Sequence, residues 1–446
     1  MTYEFQYGDI QFSKTGQLDE LIALDRYAMT AYEGYEKGDT VIAIVDEVMG
    51  TKKVGTIIDG PDDGVYRVKD RLGEFHVVKE GLLQKPLETE PKQFWERWAK
   101  GGASVESEET REYFENELRW LFDGYKYSMG GRIQLMLGQE TVSGEKSPLT
   151  AYNCFVVRSP RHKTSPVEQF LDVVEVARIE ATIMRRGGGV GLNISPINTV
   201  KGSGASPDDF EFILPKEHPD SEELIDRKLL GKFDGVRVST ETVDGGGVIV
   251  AEDSVEGLFE GIKRMVKRSY EGHTVVVDFG ELRERNALVK GVNGRSSGAV
   301  SWMELYVLAA RLLQRDTIDA VDFAEMFSEI VHLIIQGGSR RGALMLVCND
   351  DSPVVHKFME RKKLPGYLTG ANISVGISDS FMERVKTYKD GVVNEDTSEA
   401  NRLWMTLIES AHASAEPGIL LLERYNKESN SWYYNEIVSS NPCGSY

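Results

Sequence analysis

From about residue 150 the sequence alternates short apolar runs with longer amphipathic stretches, and no other feature restricts the possible folds as much. The runs are CFVVRS (154–159), ALMLVC (343–348), ISVGIS (373–378) and GILLLE (418–423), bounded by glycine or charge. A strand apolar at consecutive positions is buried on both faces, as in a parallel sheet covered by helices. The stretches between them have helical period. Residues 166–186 place Phe170, Val173, Val174 and Ala177 on one face, and residues 301–315 read as a second helix. In 322–335, Phe323, Met326, Phe327, Ile330, Val331 and Ile334 fall at i, i+3, i+4, i+7, i+8 and i+11, a single buried stripe. The expected class is α/β with a mainly parallel sheet.

The first third has a different texture. Residues 1–35 and about 90–135 read as helical, with FWERWAK and TREYFENELRWLFDGYKY carrying aromatics at helical spacing. Between them GDTVIAIVDEVMG, KVGTIIDG, DGVYRVKD and GEFHVVKEGLL are β-rich runs separated by Gly/Asp turns. The expected organisation is a helical N-terminal domain (1–36 and 87–148), a small SH3-like β-barrel module (37–86) inserted in it, and an α/β part (149–446). Residues 203–273 are acidic and read as an insertion into that part, with its own hairpin and helix.

Charge and cysteine usage exclude several classes of function. Lys plus Arg total 52 against 71 Asp plus Glu, a net charge of −19, which disfavours general binding to nucleic-acid polymers or anionic membranes. A single nucleotide can still be held by backbone N–H groups and a few arginines. The opening MTYEFQYGDIQFSKTG is polar and unlike a signal peptide, and no apolar run approaches membrane-spanning length. Cys154, Cys348 and Cys443 are odd in number and far apart, which argues against a disulfide framework or a CxxC zinc site. The expectation is a cytoplasmic protein whose cysteines act as thiols.

Four segments carry candidate chemistry. RRGGGVGLNIS (185–195) sets glycines between a helix and a strand, where they permit positive φ or close approach of another backbone or a phosphate; a plain turn is the simpler alternative. It does not follow a strand and open a helix, so it fails the dinucleotide fingerprint. IQGGSRRGALML (335–346) offers paired arginines suited to bidentate contact with phosphate or a base edge, or merely solvated. GELRERNALVKGVNGRSSGAVSWMEL (280–305) is a basic loop entering a helix capped by Ser301, whose free N–H groups would favour an anion. NPCGSY (441–446) holds a cysteine in a Pro/Gly turn, exposed and positioned if it is not simply a chance residue. Cys348, within LMLVCND, has the setting of a buried strand residue, and Cys154, at the start of an apolar strand, is ambiguous alone.

Taken in order, MGGRIQLMLG (129–138), NCF (153–155), RRGGGVGLNIS, ELRERNALVKGVNGRSSGAVSWM (281–303), QGGSRRGA (336–343), ANISVGISDSF (371–381), AEPGILLLE (415–423) and NPCG (441–444) resemble the catalytic subunit of ribonucleotide reductases. The resemblance spans roughly residues 125–444, with the 37–86 module outside it. It implies the first half of a ten-stranded α/β barrel, ending on a finger loop that carries a cysteine through the barrel. Cys443 then matches the thiyl-radical cysteine, Asn441 the asparagine that hydrogen-bonds the ribose, and Cys154 one of two cysteines that reduce the substrate and become a disulfide. Asn153 would line the ribose pocket. Gln336, Gly337, Gly338 and Arg340 match the mobile loop that senses the substrate base. Arg283, Arg285, Lys290, Gly294 and Arg295 lie in the loop that helps bind a deoxynucleotide effector and reports its identity. The long insertion before ELR and the missing N-terminal regulatory domain resemble the monomeric adenosylcobalamin-dependent kind. An external thiol reductant such as thioredoxin is implied, and no metal site.

The sequence also departs from that family. Its glutamate two residues beyond the radical cysteine is here Ser445, and an unactivated serine is a poor base. The second reducing cysteine and the second half-barrel are absent from this sequence. The expectation is a chain that pairs with a separately encoded C-terminal half, or is joined to it by splicing near Cys443, and is inactive without it. The competing readings are a nucleotide-binding relative lacking catalysis, an iron- or manganese-dependent reductase large subunit, and an unrelated α/β oxidoreductase using GGGVG for a dinucleotide.

Overall fold

The computed structural model describes residues 17–46, 49–144, 149–160, 165–241, 247–289, 294–336 and 340–442. The chain divides into two compact units, Met1–Ala151 and Tyr152–Tyr446.

In the first unit six strands form an antiparallel sheet, in the order Thr30–Ala31, Leu83–Pro86, Thr40–Asp46, Thr51–Asp62, Val65–Asp70 and Phe75–Lys79. Asp63 and Gly64 have φ of 51° and 74° and make the tight turn between the two strands they join. Val41, Ala43, Ile57, Tyr66 and Val68 bury one side of the module. The stretch expected to be helical up to residue 35 holds the helix Gln17–Arg26 and then a strand, because Thr30 and Ala31 pair with Pro86 and Lys85. The helix Pro91–Ala103 starts with proline at its first turn and a Glu90/Gln93 capping box, and buries Phe94, Trp95 and Trp98.

An ion pair ties this unit together. Arg97 Nε donates to Glu88 Oε1 at 2.8 Å, and the rest of the guanidinium donates to the carbonyls of Tyr27, Gln134 and Leu137. Glu88 Oε2 accepts the Met29 N–H at 2.9 Å. Both side chains are buried. Arg97→Met should therefore destabilise the unit by about 3–5 kcal/mol, since it strands the Glu88 carboxylate without its cation. Urea unfolding followed by tryptophan fluorescence reads this, and an unchanged midpoint would contradict it.

In the second unit five parallel strands form a sheet in the order Gly418–Leu420, Ala371–Gly376, Leu344–Asn349, Gly189–Asn193 and Cys154–Val157. Ser165 caps the helix Pro166–Arg185, and Asp319 caps Ala320–Leu333. The stripe expected from Phe323 to Ile334 is buried throughout. Alternation along the central strand separates two faces. Leu344, Leu346 and Cys348 enter the large helix-covered core, whereas Met345 and Val347 join Leu420 in a separate cluster on the other side, hereafter the inner face. GILLLE is strand only as far as Leu420, and a helix runs over Leu422–Glu428.

The insertion departs from expectation. Instead of a hairpin, its strands are parallel, in the order Arg237–Ser239, Phe210–Ile213, Val275–Asp278 and Ile249–Val250. The helices Ser221–Leu229 and Val255–Tyr270 provide the crossovers that parallel neighbours require. Among the described residues no helix is long and apolar enough to cross a membrane.

Glu180, on the Pro166–Arg185 helix, is 1% exposed, and among the described residues neither carboxylate oxygen has a hydrogen-bond partner. Burial raises its pKa well above the ordinary range, which favours the neutral acid in the folded chain. A raised folded pKa contributes fully below the unfolded value and loses that contribution as pH rises through the folded one. Glu180→Met should thus stabilise the chain more at pH 8 than at pH 4, read as the shift in urea midpoint at the two pH values. Equal shifts would contradict it.

Candidate active site

The site is built on the inner face of the five-stranded sheet. A segment leading toward the NPCG turn lies across this face, over the strand Gly189–Asn193. Asn193 Nδ2 donates to the Val438 carbonyl at 2.8 Å. A Cβ placed on Gly191 would lie 1.8 Å from the Ser440 carbonyl oxygen, and one on Gly189 would lie 3.2 Å from Pro442 Cγ. Positions 438, 440 and 442 therefore stand over 193, 191 and 189. The segment runs antiparallel to the strand in step with it, two residues for two residues, as two extended chains must. Glycine is required at 191 because the two backbones touch there.

Cys154 lies beside the end of this track. It pairs in register with Gly189, and paired residues of neighbouring strands project to the same face. The Cys154 side chain thus shares the face on which Pro442 rests, one strand away, roughly 4.8 Å in the hydrogen-bonding direction. Cys154 and Asn441 are both partly exposed, and Asn153 is exposed just before the strand. The backbone of Asn153 accepts the Gly189 N–H at 2.7 Å, and the Cα of Asn441 would lie 3.2 Å from a Cβ on Gly191, so both backbones pass near the Cys154 end of the track. Cys443, Ser445, Gly337, Gly338 and Lys290 lie outside the described residues. The backbones of Gln336 and Arg340 pair across a two-residue antiparallel ladder.

Cys348 is set apart from this group. It faces the opposite, helix-covered core, where burial pushes its thiol up to about 11.

The expected effector loop is braced by the insertion. Asp220 Oδ1 accepts the Arg285 N–H at 3.0 Å and Oδ2 accepts the Ala299 N–H at 2.7 Å, so one buried carboxylate holds both stems of the loop. The His218 ring donates from Nε2 to the Leu282 carbonyl at 2.7 Å and accepts the Asp220 N–H at Nδ1. This corrects the expected cap. The helix is Ala299–Leu313, and Ser301 sits inside it, donating to the Ser297 carbonyl. The anion at its N-terminus is Asp220, which suits the exposed N–H groups and the helix dipole. Arg283 pairs with Asp253 at 2.7 Å, Arg285 with Glu223 at 2.5 Å, and Arg295 Nη1 donates to the Asn286 carbonyl. Gly294 pairs with Val289 in the loop's own ladder. An open cleft of 530 Å³ lies between Pro215–Pro219 and Gly280–Ala287, beyond the carboxyl ends of the parallel strands Phe210–Ile213 and Val275–Asp278. Ligands commonly bind open α/β sheets in such a crevice.

Comparison with known proteins agrees with this architecture. Residues 311–393 and 386–446 match the family described as ribonucleotide reductase, barrel domain. The chain thus resembles the catalytic polypeptides of ribonucleotide reductases. Its named relatives include the B12-dependent kind. It is 29% identical over 206 residues to the vitamin B12-dependent ribonucleoside-diphosphate reductase of Thermoplasma acidophilum, covering 44% of this chain and 24% of that one. It is 26% identical over 322 residues to a Mycobacterium phage D29 protein named for adenosylcobalamin-dependent ribonucleoside-triphosphate reduction, covering 68% and 43%. The crystal structure of a B12-dependent class II ribonucleotide reductase shares the fold, with a TM-score of 0.55 at 15% identity, over 79% of this chain and 50% of that one. The chain therefore spans well under two thirds of the length of these relatives.

Gly191→Ala should force the 438–442 segment off the sheet, at about 1–3 kcal/mol of overpacking. Hydrogen–deuterium exchange in a peptide covering 437–442 should rise while that of Leu344–Asn349 stays slow. Unchanged exchange at 437–442 would contradict the close approach.

Proposed function

We propose that this chain supplies the first half of a ribonucleotide reductase barrel and that its NPCG turn carries the radical cysteine. The observation that supports this reading is the track of 438, 440 and 442 over 193, 191 and 189, whose last described residue, Pro442, rests on Gly189, the strand partner of Cys154. Removal of a ribose 2′-hydroxyl begins with loss of the hydrogen on the 3′ carbon. A thiyl radical at Cys443 takes that hydrogen. The 2′-hydroxyl then leaves as water, Cys154 with a second cysteine supplies two electrons and two protons and closes to a disulfide, and the Cys443 thiol returns its hydrogen to the 3′ carbon, which restores the thiyl radical. An external dithiol such as thioredoxin returns that disulfide to thiols. Asn441 holds the ribose by hydrogen bonds, with Asn153 lining the pocket. Gln336, Gly337, Gly338 and Arg340 form the base-sensing loop. The loop bearing Arg283, Arg285, Lys290, Gly294 and Arg295 takes a deoxynucleotide effector at the cleft beside it, which has the size of a small-molecule site.

Adenosylcobalamin is the radical source we infer, from the relatives' names. When bound, it supplies the organic radical that oxidises the thiol. The open cleft lined by Leu421, Tyr425 and Ile437 measures 520 Å³, within the usual small-molecule range, and a corrin is larger. The sheet is open at Cys154–Val157 and Gly418–Leu420 among the described residues, and five further strands completing a ten-stranded barrel would cover those edges. Catalysis then requires that second half, and the chain alone should be inactive.

The test is reduction of ribonucleotides by the chain together with a complementing second half, with and without adenosylcobalamin. Turnover should need the cofactor, and Cys443→Ser should lower it by more than about a thousandfold while nucleotide binding is kept. Full activity in Cys443→Ser would overturn the reading. Ser445, in place of a carboxylate base, favours one alternative. Nucleotide binding without turnover in the complemented wild type would establish that binding relative instead.

A further inference from the structure

The segment that crosses the inner face is held at two points by asparagine side chains, and both points lie before the NPCG turn. Asn426, on the Leu422–Glu428 helix, accepts the Ile437 N–H at Oδ1 (2.7 Å) and donates from Nδ2 to the Ile437 carbonyl (2.8 Å). A single amide thereby reproduces the two-way exchange of a strand neighbour, which fixes residue 437 along the chain direction as well as in height. The next residue is held by Asn193, which is 4% exposed. Its Nδ2 donates to the Val438 carbonyl at 2.8 Å and to Asn349 Oδ1 at 2.9 Å, while its Oδ1 accepts the Ser195 N–H at 3.0 Å. Ser195 Oγ in turn accepts the Asn349 N–H at 2.6 Å. The Asn193 amide is thus oriented by the turn that follows its own strand and by one neighbouring strand, and has its remaining donor committed to the segment. A buried amide with every group satisfied is rigid, because any rotation strands a donor or an acceptor.

Beyond these two residues the segment passes over Gly191 and Gly189, where the strand offers no side chain. Glycine permits close approach, but it gives no notch against sliding. Sliding by one residue would put carbonyls and side chains of the segment out of step with the strand, and would move residue 443 by about 3.3 Å. A displacement of that size is large for a reacting atom.

We propose that Asn193 and Asn426 are positioning residues that set the axial register of the segment 437–442, and so fix where the Cys443 thiol meets Cys154. This rests on the functional reading above. Neither asparagine touches substrate in this account; each acts through the backbone of 437 and 438.

The test is disulfide trapping in the full chain, which needs no turnover. The wild type, treated with diamide, should form a Cys154–Cys443 disulfide, identified as a cross-linked peptide by mass spectrometry. Asn193→Asp keeps the acceptor for the Ser195 N–H and loses the donor to Val438. Asn426→Asp keeps the acceptor for the Ile437 N–H and loses the donor to its carbonyl. The double variant should trap the disulfide roughly tenfold more slowly, from two lost hydrogen bonds. Buried Cys348 reports folding, since it should stay unlabelled by iodoacetamide. If it becomes labelled in the double variant, Asn426→Asp alone, at the partly exposed anchor, decides the matter by the same slowing. A folded variant that traps at the wild-type rate would overturn the proposal while leaving the functional reading intact. A wild type that never forms the disulfide, with both thiols alkylatable, would overturn both.

Discussion

The second unit depends on a contact between two backbones. Where the Ser440 carbonyl meets Gly191 there is no room for a single carbon atom. That contact lets an extended segment lie on the inner face of the sheet, instead of above a layer of side chains. The neighbouring features follow from it. The strand beneath must be glycine at alternate positions, its inner face must be kept clear, and the segment must be anchored elsewhere because glycine cannot anchor it. Asn193 and Asn426 meet the last need, and Met345, Val347 and Leu420 fill the face to one side of the track.

Much of this framework is legible in the sequence, for reasons that differ by element. The strand at 344–349 announces itself because burial on both faces leaves Leu344 to Cys348 without a polar position. The 320–333 helix does so through its stripe. The glycine cluster at 187–191 can be read only as a turn or a close approach; the identity of what approaches lies some 250 residues away in sequence. The same distance hides Asn193 and Asn426. An asparagine in LNIS or RYNK looks like a loop or surface residue, and only the folded chain shows its amide spanning to another backbone.

Misreadings have equally local causes. Ser301 fits the sequence pattern of a helix cap, but Asp220, folded in from the insertion, satisfies the Ala299 N–H two residues earlier. Propensity identifies a suitable cap only when no distant carboxylate competes for the site. The insertion itself reads as a hairpin because short strands near a glycine run usually are one. Its helices convert those strands into a parallel sheet, and its segment 215–220 becomes the brace for the 281–299 loop. The arginines of that loop look available for phosphate in sequence, whereas Arg283 and Arg285 are engaged by Asp253 and Glu223 in the fold. An anionic ligand there must compete with carboxylates already in place, which makes affinity sensitive to charge at those acids.

The central claim is spatial: the anchored segment reaches Pro442 on the face that carries Cys154, and we propose that the thiol of residue 443 enters the same cavity. A crystal structure of the chain joined to its second half-barrel, with a ribonucleotide bound, measures this directly. The account predicts both sulfurs lining one cavity on the inner face, with the sugar ring between them and Asn441. Sulfurs on opposite faces of the sheet, or a 438–442 segment lifted away from Gly191, would contradict it.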